Sequence, residues 1–352
     1  MATYIVTGGA GFIGSALVLR LIQDGAEVVT IDKLTYAGNL DSLADVMEHP
    51  RHHFVRLDVG DAAGLRDAFA RYQPDGIFHL AAESHVDRSI DGPAECIATN
   101  INGTFTLLQE ARRYRQQSDS QARHRFRLVH VSTDEVFGSL GATGTFDEDS
   151  PYRPSSPYAA SKAAADHLAR AWATTYGLPV NVTTGSNTYG PRQFPEKLIP
   201  LAIEKAMAGD AIPVYGHGEH VRDWIHVDDH VSALVAVMTR GAPGSSYAIG
   251  ARDPRTNLAV VRAVCAALDR LRPDPAGPHQ RLITFVADRP GHDLRYAIDP
   301  SKLERELRWQ PAIDFDHGLR DTIRWYLDHR SWVEHVTNGR YRGERLGLDT
   351  DR

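Results

Sequence analysis

Two short runs in the middle of the chain carry side chains that could move protons on and off an alcohol. Leu128-Val-His-Val-Ser132 reads as a short apolar strand, and Thr133, Asp134 and Glu135 follow it directly. Ligands of open parallel α/β sheets bind outside the carboxyl ends of strands, so a hydroxyl and two carboxyls stand where chemistry is expected. Farther along, Ser155-Ser-Pro-Tyr158-Ala-Ala-Ser-Lys162 reads as a helix start, with a serine cap and proline at the first helical position. Tyr158 and Lys162 then share one helical face. An ammonium beside a phenol favours phenolate, which would let the tyrosine act as a base below its free pKa of about 10. Each pattern has a plain explanation as well. Tyr and Lys four apart occur on ordinary solvated helices, and Thr-Asp-Glu after a strand is a common turn or cap. Both become informative once the chain supplies a hydride acceptor.

The elements that would position such an acceptor come first in the chain. Thr3-Tyr-Ile-Val-Thr7 reads as a buried strand, and Gly8-Gly-Ala-Gly11-Phe12-Ile13-Gly14 leads from it into a helix over 15–24. Glycines permit the tight turn and let backbone N–H groups approach a pyrophosphate seated on the helix N-terminus. A second strand over 27–31 ends at Asp32, where a carboxylate can take the adenosine ribose hydroxyls. An acid there repels a 2′-phosphate, so the expected cofactor is NAD rather than NADP. A third strand runs to Asp58-Val59, which suits an adenine edge or simply ends in an Asx turn. Gly76-Ile-Phe-His-Leu80 is a fourth, followed by Ala81 and Ala82, small enough for a cofactor to approach, and by Ser84 and His85, which could face a substrate. A polar loop would look similar.

Residues 100–113 read as a helix and 116–125 as a polar loop. Strands alternating with helices over this range predict an α/β, Rossmann-type doubly wound parallel sheet. Beyond a strand over 179–184 the rhythm breaks into short turns with scattered aromatic and basic residues, which predicts a smaller, discontinuous C-terminal substrate domain. The expected division is 1–186 with 226–250 for dinucleotide binding, 187–225 and 251–330 for substrate, and a polar tail over 331–352.

Composition narrows the class. With 352 residues and 42% hydrophobic content the chain can build a normal core of about two domains. A net charge of −6 argues against nucleic acid or an anionic membrane as the main partner. No apolar run is long enough to span a bilayer, and a cytoplasmic location is the default expectation. Two cysteines, Cys96 and Cys265, read as small core residues. Among 17 histidines the strongest metal pattern is His226-Val-Asp-Asp-His230, but it reads as a strand end followed by an Asp-capped helix, so no metal site is expected.

The glycine motif with Tyr158-x-x-x-Lys162 resembles the extended short-chain dehydrogenase/reductases that act on nucleotide sugars. His79-Leu-Ala-Ala-Glu-Ser-His-Val-Asp-Arg-Ser89, Ser132-Thr-Asp-Glu-Val136, Gln193-Phe-Pro-Glu-Lys-Leu-Ile-Pro200, Arg222-Asp-Trp224 and Arg289-Pro-Gly-His-Asp293 narrow the resemblance to the dTDP-glucose 4,6-dehydratases, over about 3–327. Thr133-Asp134-Glu135 is the specific element, since related epimerases and decarboxylases lack the acid pair. Phe137 stands where that family usually has Tyr, and Thr188 and Arg192 where it has Asn and Tyr.

The resemblance implies oxidation of the sugar at C4 by Tyr158, Lys162 and Thr133 with NAD, then loss of water across C5–C6 with Glu135 as base and Asp134 as acid, in deoxysugar biosynthesis. It adds Lys33, Leu34, Thr35, Val59, Leu80, Thr99 and Thr188 to the cofactor contacts. It assigns the nucleotide sugar to Ser84, His85, Thr133, Asn187, Glu196, Lys197 and Leu198, and farther on to Pro213, Tyr215, Arg222, Asn257, Arg289 and His292. Arg222 and Arg289 suit bidentate binding of a diphosphate. A homodimer pairing helices near Thr104 and Tyr158 is implied too. The rivals are a 4-epimerase or decarboxylase on the same scaffold, which needs no acid pair, and a silent dinucleotide sensor, which has no use for Tyr158 and Lys162.

Overall fold

Short runs of Val, Ile and other apolar residues, buried on both faces, set the spine of the molecule. The computed structural model describes residues 1–337, and the expected polar tail from 338 onward lies outside them. The runs form β1 (Thr3–Thr7), β2 (Glu27–Asp32), β3 (His52–Arg56), β4 (Gly76–His79), β5 (Arg127–Thr133) and β6 (Val180–Gly185). The chain then leaves for a second unit through β7 (Asn187–Tyr189), β8 (Ile212–Tyr215) and β9 (Val221–His226), and returns with β10 (Ser246–Ile249). β11 (Pro254–Thr256) and β12 (Ile283–Val286) complete the second unit.

The main sheet has the order β10-β6-β5-β4-β1-β2-β3 with every pairing parallel. Chain order reverses between β1 and β4, and the crevice that opens there is where this architecture binds ligands. Helices cover both faces. Leu17, Leu21, Val231 and Leu234 from the Phe12–Gln23 and Val227–Arg240 helices pack on Val6, Val28 and Phe78. On the other face Leu65, Leu107 and Ala169 from the Ala62–Tyr72, Thr104–Gln117 and Pro157–Tyr176 helices pack on Ile5, Val29 and Val180.

A separate core gathers Ile203, Val261, Cys265, Ile323 and Tyr326 with the strands β8 and β9. The second unit holds two small sheets, β11-β9-β7 and β12-β8.

Three local outcomes differ from the sequence reading. Residues 120–125, expected within a loop, form a helical turn because Asp119 caps it, accepting from Ala122 N at 2.8 Å. The helix expected over 100–113 begins earlier, as a π-helical turn at Ile97–Gly103 that runs into Thr104–Gln117. Arg330–Thr337, assigned to a polar tail from 331, is a helix whose Trp332, Val333 and Val336 are buried in the second core. Its apolar stripe is only three residues long, too short to stand out against the charged flanks.

Candidate active site

The turn after β1 shows why its glycines are glycines. A Cβ on Gly8 would lie 2.7 Å from Ala81 N, in the loop after β4, and one on Gly14 would lie 2.1 Å from Gly8 O. Bulk at Gly8 would push apart the two loops that frame the crevice, and bulk at Gly14 would push the turn off the helix start. Gly11 is the N-cap of the Phe12–Gln23 helix, with no side-chain cap, so its first-turn amides have no competing side-chain acceptor. That is the arrangement a pyrophosphate needs. Asp32 ends β2 with its carboxylate oriented by Leu34 N at 2.8 Å and Ala10 N at 3.1 Å. Lys33 reaches Thr99 Oγ1 at 3.0 Å.

These elements enclose a cavity of about 310 Å³, of the size of a small-molecule site. Gly8, Gly11, Phe12, Ile13, Gly14, Asp32, Lys33, Thr35 and Val59 line it, together with Leu80, Ala81, Ala82, Ser84, Thr99, Thr133, Tyr158, Lys162 and Thr188. Uncapped amides, glycine cradle and ribose-side acid fit an extended dinucleotide. Leu34 and Asp58 do not line it. Leu34 is turned away at φ 60° with its amide on Asp32. The Asp58 carboxylate takes Gly60 N at 2.8 Å, an Asx turn, and faces Lys33 at 3.5 Å.

At the end of β5 the chain tightens into a 3₁₀ turn, Asp134–Phe137, capped by Thr133 Oγ1. Asp134 is buried and its Oδ2 has no hydrogen-bond partner. Burial and the neighbouring Glu135 hold its carboxyl well above the usual range. Burial raises Glu135 as well, but Arg289, Arg222 and Lys197 pull it back. Both carboxyls thus hold a proton more tightly than usual, Asp134 the more strongly, while the cations offset part of that rise at Glu135.

The Pro157–Tyr176 helix delivers the other pair. Ser156 caps it, accepting from Ala159 N at 3.1 Å, and Pro157 opens it. Tyr158 and Lys162 lie on its buried face. The expectation that Lys162 lowers the Tyr158 phenol is not met among these side chains. Burial and the charges of Glu135 and Asp134 push the phenol well above its ordinary value, and a hydrogen bond with Thr133 acts in the other direction. The Lys162 ammonium, pushed down to about 8 by burial, donates to Val131 O at 2.8 Å instead. Its stem is long enough to reach the strand rather than the neighbouring turn.

A second cavity of about 230 Å³ adjoins the first, and Glu135, Asn187, Glu196 and Lys197 line both. His85, Leu198, Pro213, Tyr215, Arg222, Asn257, Arg289 and His292 complete the expected set around it. Sequence reasoning missed Asp87, Trp224 and Tyr296 on its wall. Asp87 holds Arg289 Nη1 at 2.7 Å and the Tyr215 hydroxyl at 3.0 Å, and Tyr296 lies under the Arg222 guanidinium at 4.2 Å. Asp87 and Trp224 stood inside quoted motifs, whereas nothing local to Tyr296 marked it.

Of the departures, Phe137 packs against Phe146 and Tyr152 away from both cavities. Thr188 bonds His230 Nδ1 at 2.7 Å, and Arg192 pairs with Asp45 at 3.0 Å.

A strap over 35–46 runs beside the first cavity and is fastened to the second unit. Tyr36 bonds Glu196, Ser42 takes the Trp332 indole at 3.2 Å, and Asp41 pairs with His335 at 2.9 Å.

His226 and His230 do not converge. His226, rather than an Asp, caps the Val227–Arg240 helix, and His230 faces Thr188. His220, Asp288 and His292 do come together, with ligand atoms within 4.8 Å. Burial, with Arg222 and Arg289, lowers the affinity of both histidines for a proton, and the two arginines oppose any other cation there. Among the described residues no helix is long and apolar enough to cross a membrane.

Comparison with known proteins agrees with this geometry. The family model for GDP-mannose 4,6 dehydratase matches residues 5–322. A dTDP-glucose 4,6-dehydratase of Neisseria meningitidis is 54% identical over 99% of both chains. The dTDP-glucose 4,6-dehydratase of Streptomyces venezuelae, solved with NAD bound, superposes with a TM-score of 0.86 at 45% identity, covering 95% of this chain and 99% of that one. A UDP-glucose 4-epimerase of Thermus thermophilus, with NAD, shares the fold at a TM-score of 0.82 but only 29% identity, over 93% of this chain and 99% of that one. With the acid pair at the end of β5 beside the buried tyrosine and lysine, and full-length relatives of this identity, the chain belongs to the dTDP-glucose 4,6-dehydratase family.

Proposed function

We propose that the chain converts dTDP-glucose to dTDP-4-keto-6-deoxyglucose with NAD as a resident cofactor, a hydro-lyase step in deoxysugar biosynthesis. The observation that carries this reading is the buried pair Asp134 and Glu135 at the end of β5, Asp134 raised well above the usual carboxyl range and Glu135 lining both cavities with three cations facing it. An epimerase has no task for them.

Tyr158 takes the proton of the C4 hydroxyl, with Thr133 orienting that oxygen. NAD⁺, which the glycine turn and Asp32 would hold, would supply the hydride acceptor for C4 and the hydride returned to C6. The C4 ketone acidifies the C5 proton. Glu135, faced by Arg289, Arg222 and Lys197, removes it and gives it back to C5 as the hydride returns to C6, while Asp134, whose burial favours the protonated form, gives its proton to the departing C6 hydroxyl. Arg222 and Arg289 hold the diphosphate, which lets an acidic protein bind a dianion.

Two copies of the chain pair through the Thr104–Gln117 and Pro157–Tyr176 helices in the same reading. Support comes from exposed Ile97, Phe105 and Tyr176 on that side, with Phe105 and Tyr176 each stacked edge-on to Trp172. A cytoplasmic setting accords with Cys96 and Cys265, both free and buried.

The test is turnover of dTDP-glucose deuterated at C4. Deuterium should appear at C6 of a 4-keto-6-deoxy product without dilution by solvent. Deuterium kept at C4, or lost to water, excludes internal hydride return and favours an epimerase-like cycle.

A further inference from the structure

One buried acid near the site takes no part in these steps. Tyr158, Lys162 and Asp166 stand on successive turns of one buried face of the Pro157–Tyr176 helix. Asp166 is fully buried and accepts three hydrogen bonds, from His130 Nε2 at 3.0 Å, Ser132 Oγ at 2.7 Å and the Tyr152 hydroxyl at 2.7 Å. Two of these donors lie on β5, the strand whose end presents Thr133, Asp134 and Glu135. The third lies in the loop leading to the helix.

The charges around this carboxylate can be assigned from the partners. His130 Nδ1 is buried with no partner. A proton on it would leave an unpaired N–H, so the neutral tautomer with its proton on Nε2, facing Asp166, is the one the site accommodates. Burial and the Lys162 charge hold His130 below its ordinary range, and burial, His130 and Lys162 do the same for His79 on β4. His79 bonds only hydroxyls, Thr7 at 2.8 Å and Thr104 at 2.9 Å. On its own helix Lys162 neighbours the un-ionised Tyr158 phenol. That leaves Asp166 as the charge that opposes desolvation of the Lys162 ammonium.

We propose that Asp166 is a positioning residue for the reaction: it holds Lys162 in its charged form and ties the helix bearing Tyr158 to the end of β5 bearing the acid pair. One carboxylate then bears both on the charge of Lys162, one helical turn from the base, and on the distance between the two halves of the site. The kinetic arm of its test rests on the function proposed above. The thermal arm does not.

The kinetic measurement is single-turnover reduction of the resident NAD on mixing with dTDP-glucose, followed across pH. Removing the counter-charge lets Lys162 lose its proton earlier. In Asp166→Asn the alkaline limb should therefore move toward acid by about one pH unit or more, with roughly a tenfold loss of rate near pH 8. Asp166→Glu should restore part of both. An alkaline limb that stays in place overturns the proposal, because a purely structural role would lower the rate at every pH alike.

The thermal measurement compares Tm for Asp166→Asn in the native background and in Lys162→Met. Coupling through charge makes the loss clearly smaller in the second background. Equal losses in the two, or failure of both Asp166→Asn chains to fold, overturn it. If the unmodified protein shows no NAD reduction with dTDP-glucose, the functional reading falls and the thermal comparison still decides the role of Asp166.

Discussion

Asp134 and Glu135 are one peptide bond apart and yet meet different worlds, and that difference is measurable. The folded-state affinity of Asp134 for its proton is raised by burial and by Glu135. The folded chain therefore binds more protons than the unfolded one as pH rises from about 4. The resulting cost to stability is absent below the unfolded pKa and grows as pH rises toward the folded value. Asp134→Asn removes it, so the variant should be more stable than the native chain at pH 7, by about 1–2 kcal/mol, with the gap closing below about pH 4. Denaturant melts at the two pH values check this. Glu135→Gln should leave C4 oxidation intact while overall turnover falls roughly 10²–10⁴-fold. Reduced cofactor should accumulate in a stopped-flow trace, and a trace with no accumulation would move the C5 base elsewhere. At this scale the dinucleotide side was legible, since glycines and an acid at fixed offsets in one βαβ unit each have a steric or charge reason. The sugar side was reached through resemblance, because its residues run from Ser84 to His292 with no local period. Tyr158 and Lys162 share a helical face as expected, but that Lys162 ends on Val131 O was not legible, because helix spacing fixes which Cβ atoms are neighbours, not where a four-carbon stem ends.

Strands, turns and helices explain why the site holds its shape. The turn between β1 and the Phe12–Gln23 helix closes only because Gly14 lets Gly8 O approach. Gly14→Ala forces the loop off the helix start, away from where a pyrophosphate would sit. The sheet should still form, since the clash is confined to the turn, but protein purified from cells should carry far less bound NAD. Absorbance of the acid-released dinucleotide per chain is the readout, and a full complement would show that the turn tolerates the bulk. The parallel strands β1 to β6 were readable because strands buried on both faces appear as short apolar runs between turn residues. The Ser120–Arg125 turn and the Arg330–Thr337 helix were not. In the first a single cap residue outweighed a polar composition, and in the second only Trp332, Val333 and Val336 contribute to the core.

Taken as a whole, the molecule exposes Phe105 and Tyr176 beside Trp172 and joins its two units by more than the connecting chain. Phe105→Asp, on the ring-bearing side, should shift sedimentation from dimer to monomer while leaving the fold intact, and a native protein that sediments as a monomer would remove the basis for pairing. The joining contacts carry another consequence. The strap over 35–46 passes beside the dinucleotide cavity and is tied by Tyr36, Ser42 and Asp41 to Glu196, Trp332 and His335. With the strap fastened at several points, release of a cofactor from that cavity is expected to depend on opening of the protein as well as on affinity. An enzyme that regenerates its nicotinamide within every cycle loses nothing by such confinement and is spared competition from the free pool. Trp332→Ala, distant from the reacting atoms, should therefore speed exchange of bound for labelled NAD while the rate per loaded site holds steady.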